Sequence, residues 1–148
     1  MITAAFCFDG VDDEGLIAAG KEFLCLFSGF EAWCAYGDDA QRLLGEVAER
    51  HHAPPPPHHA NVDAEQADAI AKRGVALLAQ AGIEAVARIF GGSDPGHAIA
   101  AASRPDYVLI LAAGHREGSG PKSVGHVARF VIDHARGPVL VLRTVEKR

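Results

Sequence analysis

No stretch of this chain is long and apolar enough to cross a bilayer. The longest apolar runs, such as YVLILAA at 107–113, fall far short of the ~20 residues a spanning helix needs. Positive charge is also scarce: 14 Lys and Arg stand against 19 Asp and Glu, for a formal net charge of -5 and a pI near 5.9. That balance argues against the non-specific nucleic-acid binding that an excess of Lys and Arg would support. The opening MITAAFCFDG lacks a basic lead and reaches Asp9 too early for a secretory signal. No membrane association is expected, and the cytoplasm is the expected compartment. Cysteine is limited to Cys7, Cys25 and Cys34, an odd count with no CxxC pair. Each lies in an apolar segment, so they read as three reduced, buried thiols rather than a redox or metal pair.

What is present is an ordinary globular composition, 49% hydrophobic and 22% charged over 148 residues, which suits one domain with a real core. Apolar segments alternate between two periods. ITAAFCF reads as a strand ended by the turn signal Asp9-Gly10. From Asp13, the residues Leu16, Gly20, Phe23, Leu24 and Phe27 fall on one helical stripe. FEAWCAY reads as a second strand and AQRLLGEVAER as a short helix. Four consecutive prolines in HHAPPPPHHANV exclude helix and central strand, so about 51–62 is expected to be a flexible His/Pro-rich loop. Asp63 and Gln66 form a capping-box pattern before a helix whose face carries Ile70, Gly74, Leu77, Leu78 and Ala81, stopped by Gly82. IEAVARIF is a third strand. Ser93 or Asp94 caps a short helix with Pro95 in its first turn. YVLIL is a fourth strand, a helix from about Ser123 to Arg136 places Val124, Val127, Val131 and Ala135 on one face, and VLVLRT is a fifth strand.

Strands alternating with helices predict an α/β fold, a doubly wound five-stranded parallel sheet with helices on both faces. YVLIL and VLVL show the continuous apolar pattern of strands covered on both sides. In the common strand order 3-2-1-4-5, the order reverses between strands one and four, and ligands bind beyond the carboxyl ends at that point. Asp9-Gly10 ends strand one, and LAAGHREGSGPKSVGH follows strand four, so both should face one crevice. The glycines Gly114, Gly118 and Gly120 would let backbone N–H groups approach an anion. Ser119 and Ser123 would donate hydroxyl hydrogen bonds, Arg116 and Lys122 would neutralise charge, and the last helix would direct its positive N-terminal end at the same place. The Walker A pattern is nearly present, but Pro121 separates Gly120 from Lys122 and no strand obviously supplies an Asp for Mg²⁺, which argues against a P-loop NTPase.

The stretch DYVLILAAGHREGSGPKSVGHVARFVIDHARGPVLVLR at 106–143 resembles the end of a universal stress protein domain, and FDG at the end of strand one is also similar to that family. The element order extends the resemblance over nearly the whole chain, with about 38–61 the least similar part. The resemblance implies a Rossmann-like domain, a cytoplasmic stress-linked role and a homodimer through the edge strand nearest the C-terminus. In some family members it also implies ATP between strands one and four; others bind no nucleotide. ATP-binding members carry G-x2-G-x9-G-[ST] after strand four. Here Gly125 matches the third glycine, but His115 and Ala112 stand at the second and first. One inserted residue would let Gly114 serve as one of those two. His126 stands where Ser or Thr should follow. Asp9 matches the aspartate that contacts adenine in ATP-binding members. The resemblance therefore implies a remodelled site. Asp9 and Gly10 would lie at the base or ribose of ATP or another adenine nucleotide, with Mg²⁺ able to accompany it. Gly114, Gly118, Ser119, Ser123 and Gly125 would lie at the phosphates, with Arg116 and Lys122 neutralising charge and His126 altering the site.

Other candidates read as structural. His51, His52, His58 and His59 flank the prolines without the carboxylate or cysteine spacing of a closed metal site. His97 reads as an exposed first-turn residue and His134 as a residue suited to a helix C-terminus. His115 and His126 lie near the anion site and could titrate near neutral pH. Asp12, Asp13 and Glu14 read as helix-start acids. No triad or paired carboxylates are visible, so catalysis is the minority reading. Three functions remain: a nucleotide-binding stress-response domain, a nucleotide-free dimeric interaction module of the same fold, and a slow nucleotide hydrolase.

Overall fold

A computed structural model describes residues 2–37, 63–114 and 124–144. Its elements are β1 (Thr3–Cys7), α1 (Asp13–Gly20), a 3₁₀ segment (Lys21–Leu26), β2 (Gly29–Gly37), α2 (Ala64–Gln80), β3 (Val86–Gly92), α3 (Pro95–Ala102), β4 (Tyr107–Ala112), α4 (His126–His134) and β5 (Val139–Leu142). The five strands form one parallel sheet in the order β3-β2-β1-β4-β5, as the alternation predicts. The helix expected over AQRLLGEVAER and the His/Pro-rich loop lie outside the described residues.

β1 occupies the centre, and its alternation divides the core. Ala4, Phe6 and Phe8 face Leu16 and Ile17 of α1 and Leu78 of α2. Ala5 and Cys7 face Ala98 and Ile99 of α3 and Val131 of α4. Side chains of successive strand residues point to opposite faces, so both faces need helical cover. Burying each large apolar side chain contributes about 1.5–3 kcal/mol. Gly74 lets α2 lie against the sheet, because a Cβ there would fall 2.4 Å from two ring carbons of Phe8.

The caps follow the sequence where it is explicit. Asp63 accepts the Gln66 N–H at 2.8 Å and the Gln66 side chain accepts the Asp63 N–H at 3.0 Å, a complete capping box. Of Ser93 and Asp94, Asp94 caps α3, accepting the His97 N–H at 2.9 Å, with Pro95 first in the helix.

Four expectations need correction. The stripe from Leu16 to Phe27 is not one helix: α1 ends at Gly20 and the chain winds as 3₁₀ through Leu26. A 3₁₀ segment rises ~2.0 Å per residue against ~1.5 Å in an α-helix. The stretched segment carries the chain to the amino end of the sheet, where the Ser28 N–H bonds Ile2 O at 3.0 Å. β3 begins at Val86 rather than Ile83, because Gly82 turns with φ +81° and the Ile83 N–H still closes α2 on Leu78 O at 2.9 Å. α4 buries Ala128 and Val131, while Val127 is exposed; the helix starts at His126, and its orientation sets this face. Cys25 is exposed on the 3₁₀ segment, whereas Cys7 and Cys34 are buried within the sheet.

Candidate functional site

The strand order reverses between β1 and β4, and a cleft opens at their carboxyl ends. Phe8 and Asp9 line it from β1, Ala112 to Gly114 from β4, Pro95 and Ile99 from α3, and Val124 to Ala128 from the start of α4, with Cys7 and Ala35 completing its wall. The structure thus brings Asp9, Gly114, Gly125 and His126 to one place, with Gly10 in the turn beside Asp9. Arg116, Gly118, Ser119, Lys122, Ser123 and His115 lie outside the described residues. Pro95, Ile99, Cys7 and Ala35 are lining residues that sequence reasoning missed; their signal was position alone, at strand ends and at the first turns of α3.

On the β1 side the backbone makes a tight turn. Gly10 has φ +84°, and a Cβ there would sit 3.1 Å from Ile70 of α2, so both conformation and space favour glycine. The exposed Asp9 accepts the Val11 N–H at 2.9 Å through Oδ1. The helix-start acids have different tasks. Asp12 caps α1 by accepting the Gly15 N–H at 3.1 Å. Asp13 is buried, and its carboxylate accepts the N–H groups of Asp9 and Gly10. Burial first, and the charge of Asp9 second, push the Asp13 carboxyl up to about 6, while hydrogen bonds from Gly10 and Asp9 and the charge of Arg73 oppose the rise. A run of two aspartates where one cap is needed was the available signal for Asp13.

On the β4 side the glycines serve a backbone crossing. The Gly114 N–H bonds Val124 O at 2.7 Å. A Cβ on Gly114 would lie 2.7 Å from the Gly125 Cα, and one on Gly125 would lie 2.9 Å from the Gly114 Cα. Gly125 is also the N-cap of α4 with φ +84°, and among the described residues no side chain caps this helix. The amides of its first turn therefore face the cleft region with the positive end of the helix dipole. His126 is exposed at that mouth.

Two other polar groups lie away from the cleft. At the amino end of the sheet, buried Glu31 accepts hydrogen bonds from the Trp33 indole, Arg88 and the Tyr107 hydroxyl. Burial pushes its carboxyl up, but the Tyr107, Trp33 and Arg88 hydrogen bonds outweigh it and hold the group below its ordinary value. His97 pairs with Asp94 at 2.6 Å and packs on Phe130, whose other neighbour is the stacked ring of His134. The His134 ring N–H donates to Phe130 O at 2.9 Å. Both histidines therefore have structural partners. Among the described residues, no group of three or more His, Cys, Asp or Glu converges on a metal position, and no helix is long and apolar enough to cross a membrane.

An open, doubly wound parallel sheet with a cleft at its reversal point defines the class of fold. Solved structures make the likeness more particular: the chain has the fold of the universal stress proteins. A universal stress protein from Archaeoglobus fulgidus superposes with a TM-score of 0.62 at 15% identity, covering 96% of this chain and 98% of that one. UspA from Lactobacillus plantarum gives 0.61 at 18% identity, covering 96% and 97%. The Archaeoglobus fulgidus protein in complex with dAMP gives 0.52 at 16% identity, covering 96% and 98%. No family model matches the sequence, and no curated protein matches it.

Proposed function

We propose that this chain is a single-domain cytoplasmic stress-response protein of the universal stress protein kind, binding an adenine nucleotide between β1 and β4. The observation that carries this reading is the convergence on one cleft of the Asp9 carboxylate and the α4 N-terminus, which has no side-chain cap among the described residues. A carboxylate can accept from a base or ribose, while helix amides suit a phosphate. The dAMP complex of a structural neighbour with the same fold supports this choice of ligand class. In this reading Asp9 orients the base or ribose, with Gly10 shaping its turn. Gly118, Ser119, Ser123 and the helix entered at Gly125 hold the phosphates, while Gly114, whose N–H is taken by Val124 O, shapes the crossing beside them. Arg116 and Lys122 neutralise charge, and Mg²⁺ accompanies a triphosphate. The edge strand β5, with four half-buried apolar side chains, is the proposed homodimer surface.

The test is calorimetric titration with ATP, with and without Mg²⁺, after heat-released small molecules have been checked for adenine. Asp9→Ala should weaken binding about 10- to 100-fold, the loss of one or two hydrogen bonds to a charged group. His126→Ser should strengthen it by restoring a small hydroxyl at the helix start. A second reading, the nucleotide-free interaction module, is favoured by the use of Gly114 and Gly125 in a backbone crossing and by His126 itself. No heat and no carried ligand would establish that reading over the first. Metal-dependent turnover lost in Asp9 and Ser123 variants would instead establish the hydrolase.

A further inference from the structure

Asp13 is 3% exposed although it stands in the first turn of a helix, where acids usually face solvent. The helix does not need it as a cap, since Asp12 fills that role. Its carboxylate turns back instead, accepting the Asp9 N–H at 3.2 Å and the Gly10 N–H at 3.1 Å from each oxygen. We propose that Asp13 is the positioning residue for the base end of the crevice. Its ionised carboxylate clamps the turn that presents Asp9, and protonation slackens that turn and weakens adenine-nucleoside binding. The proposal rests on the crevice being the nucleotide site.

The physical reason lies in what the two amides require. An ionised carboxylate is a pure acceptor, and its hydrogen bonds to N–H groups are roughly twice as strong as neutral ones. Both amides reach Oδ1, and the Gly10 N–H also reaches Oδ2; protonation on Oδ2 removes that second bond and leaves Oδ1 a neutral carbonyl acceptor whose bonds are roughly half as strong. Gly10 is already in the left-handed region and close to Ile70, so the turn has little room to re-form its bonds elsewhere. The charged and titratable groups around Asp13 are Asp9 on the turn, Asp12 and Glu14 beside it, Arg73 on α2 and Cys34 on β2. Arg73 also pairs with Glu14 at 3.5 Å, so its charge is shared. Burial and Asp9 together place the Asp13 transition at about 6, within the range of mild acidification.

The experiment uses adenosine, which has no phosphate to titrate, together with nitrogen-15 amide spectra of the full chain. In the wild type, the Asp9 and Gly10 amide shifts should titrate together with a midpoint of about 6. Adenosine affinity should fall about tenfold from pH 7 to pH 5, the limit set by one group of that pKa that must be ionised. Asp13→Asn keeps one carbonyl acceptor and no charge, so both pH dependences should vanish. The wild-type amide titration needs no variant and stands even if Asp13→Asn fails to fold. Amides that ignore pH between 5 and 7, or titrate equally in Asp13→Asn, overturn the proposal. Equal adenosine affinity at both pH values overturns it too, because the turn would then move without consequence for the site. Amides that titrate as expected in a protein that binds adenosine at no pH would uphold the clamp and overturn the nucleotide reading.

Discussion

Gly74→Ala is the sharpest test of how α2 seats on the sheet. In an exposed helix interior this change is favourable by about 1 kcal/mol, because alanine loses less backbone entropy. Here the added methyl would lie 2.4 Å from Cδ2 and Cε2 of Phe8 and 3.3 Å from the Ala32 Cβ. Carbon atoms rest at ~3.5–4.0 Å, so the ring or the helix must move by more than 1 Å. Phe8 is 3% exposed and stacks on Phe6 with centroids 5.9 Å apart, so displacing the ring disturbs a second core side chain. Overpacking of this kind costs about 1–3 kcal/mol, and the close pair of contacts puts this case at the upper end. Set against the helix gain, the net loss is about 1–2 kcal/mol, or roughly 3–6 °C in Tm for a chain of this size. Urea denaturation monitored by circular dichroism measures it, with Ala76→Gly on the exposed side of α2 as the propensity control, expected to lose about 1 kcal/mol. In a Phe8→Leu background the Gly74→Ala penalty should shrink, because the ring carbons are gone. A Gly74→Ala protein more stable than wild type would refute the packing argument.

Three further outcomes are expected. With its ordinary value near 4.5 lowered by its partners, Glu31 contributes stability that is present above that value and lost as pH falls through the lowered one; urea midpoints from pH 3 to 7 should show this component in the wild type and lack it in Glu31→Gln. Asp13 acts on the fold with the opposite sign: its raised value means stability that is full below about 3.8 and lost as pH rises through about 6, so Asp13→Asn should remove a decline of about 2–3 kcal/mol across that window. Under native conditions a thiol reagent should modify Cys25 alone, because burial, foremost, raises the Cys7 and Cys34 thiols, the latter to about 12; rapid reaction of all three would show that the sheet opens on both faces, since Cys7 faces α3 and α4 and Cys34 faces α2.

The layers of the fold were legible because they rest on local signals. ITAAFCF is a run of apolar and β-compatible residues stopped by a turn signal, and the Asp63–Gln66 box spans four residues. The strand order followed from the general geometry of parallel sheets rather than from any one residue. What escaped reading depends on contacts distant in sequence. The stripe from Leu16 to Phe27 is the same for an α-helix and for a helix that tightens after Gly20; the difference shows in the folded chain, where Ser28 bonds Ile2. Asp13 read only as a helix-start acid because its environment comes from the folded turn, from α2 and from β2. Gly114 and Gly125 were legible as permissive residues near an anion site, but their mutual contact, eleven positions apart, was not.

That contact has a consequence for how the chain can change. Where Gly114 and Gly125 cross, the end of β4 and the start of α4 meet backbone to backbone, joined by the 2.7 Å bond from Gly114 to Val124. Any side chain at either position would have to part the strand end from the helix start, so the two glycines can change only together with the backbone they hold: they act as a buckle at the carboxyl end of the sheet, closed by the absence of side chains.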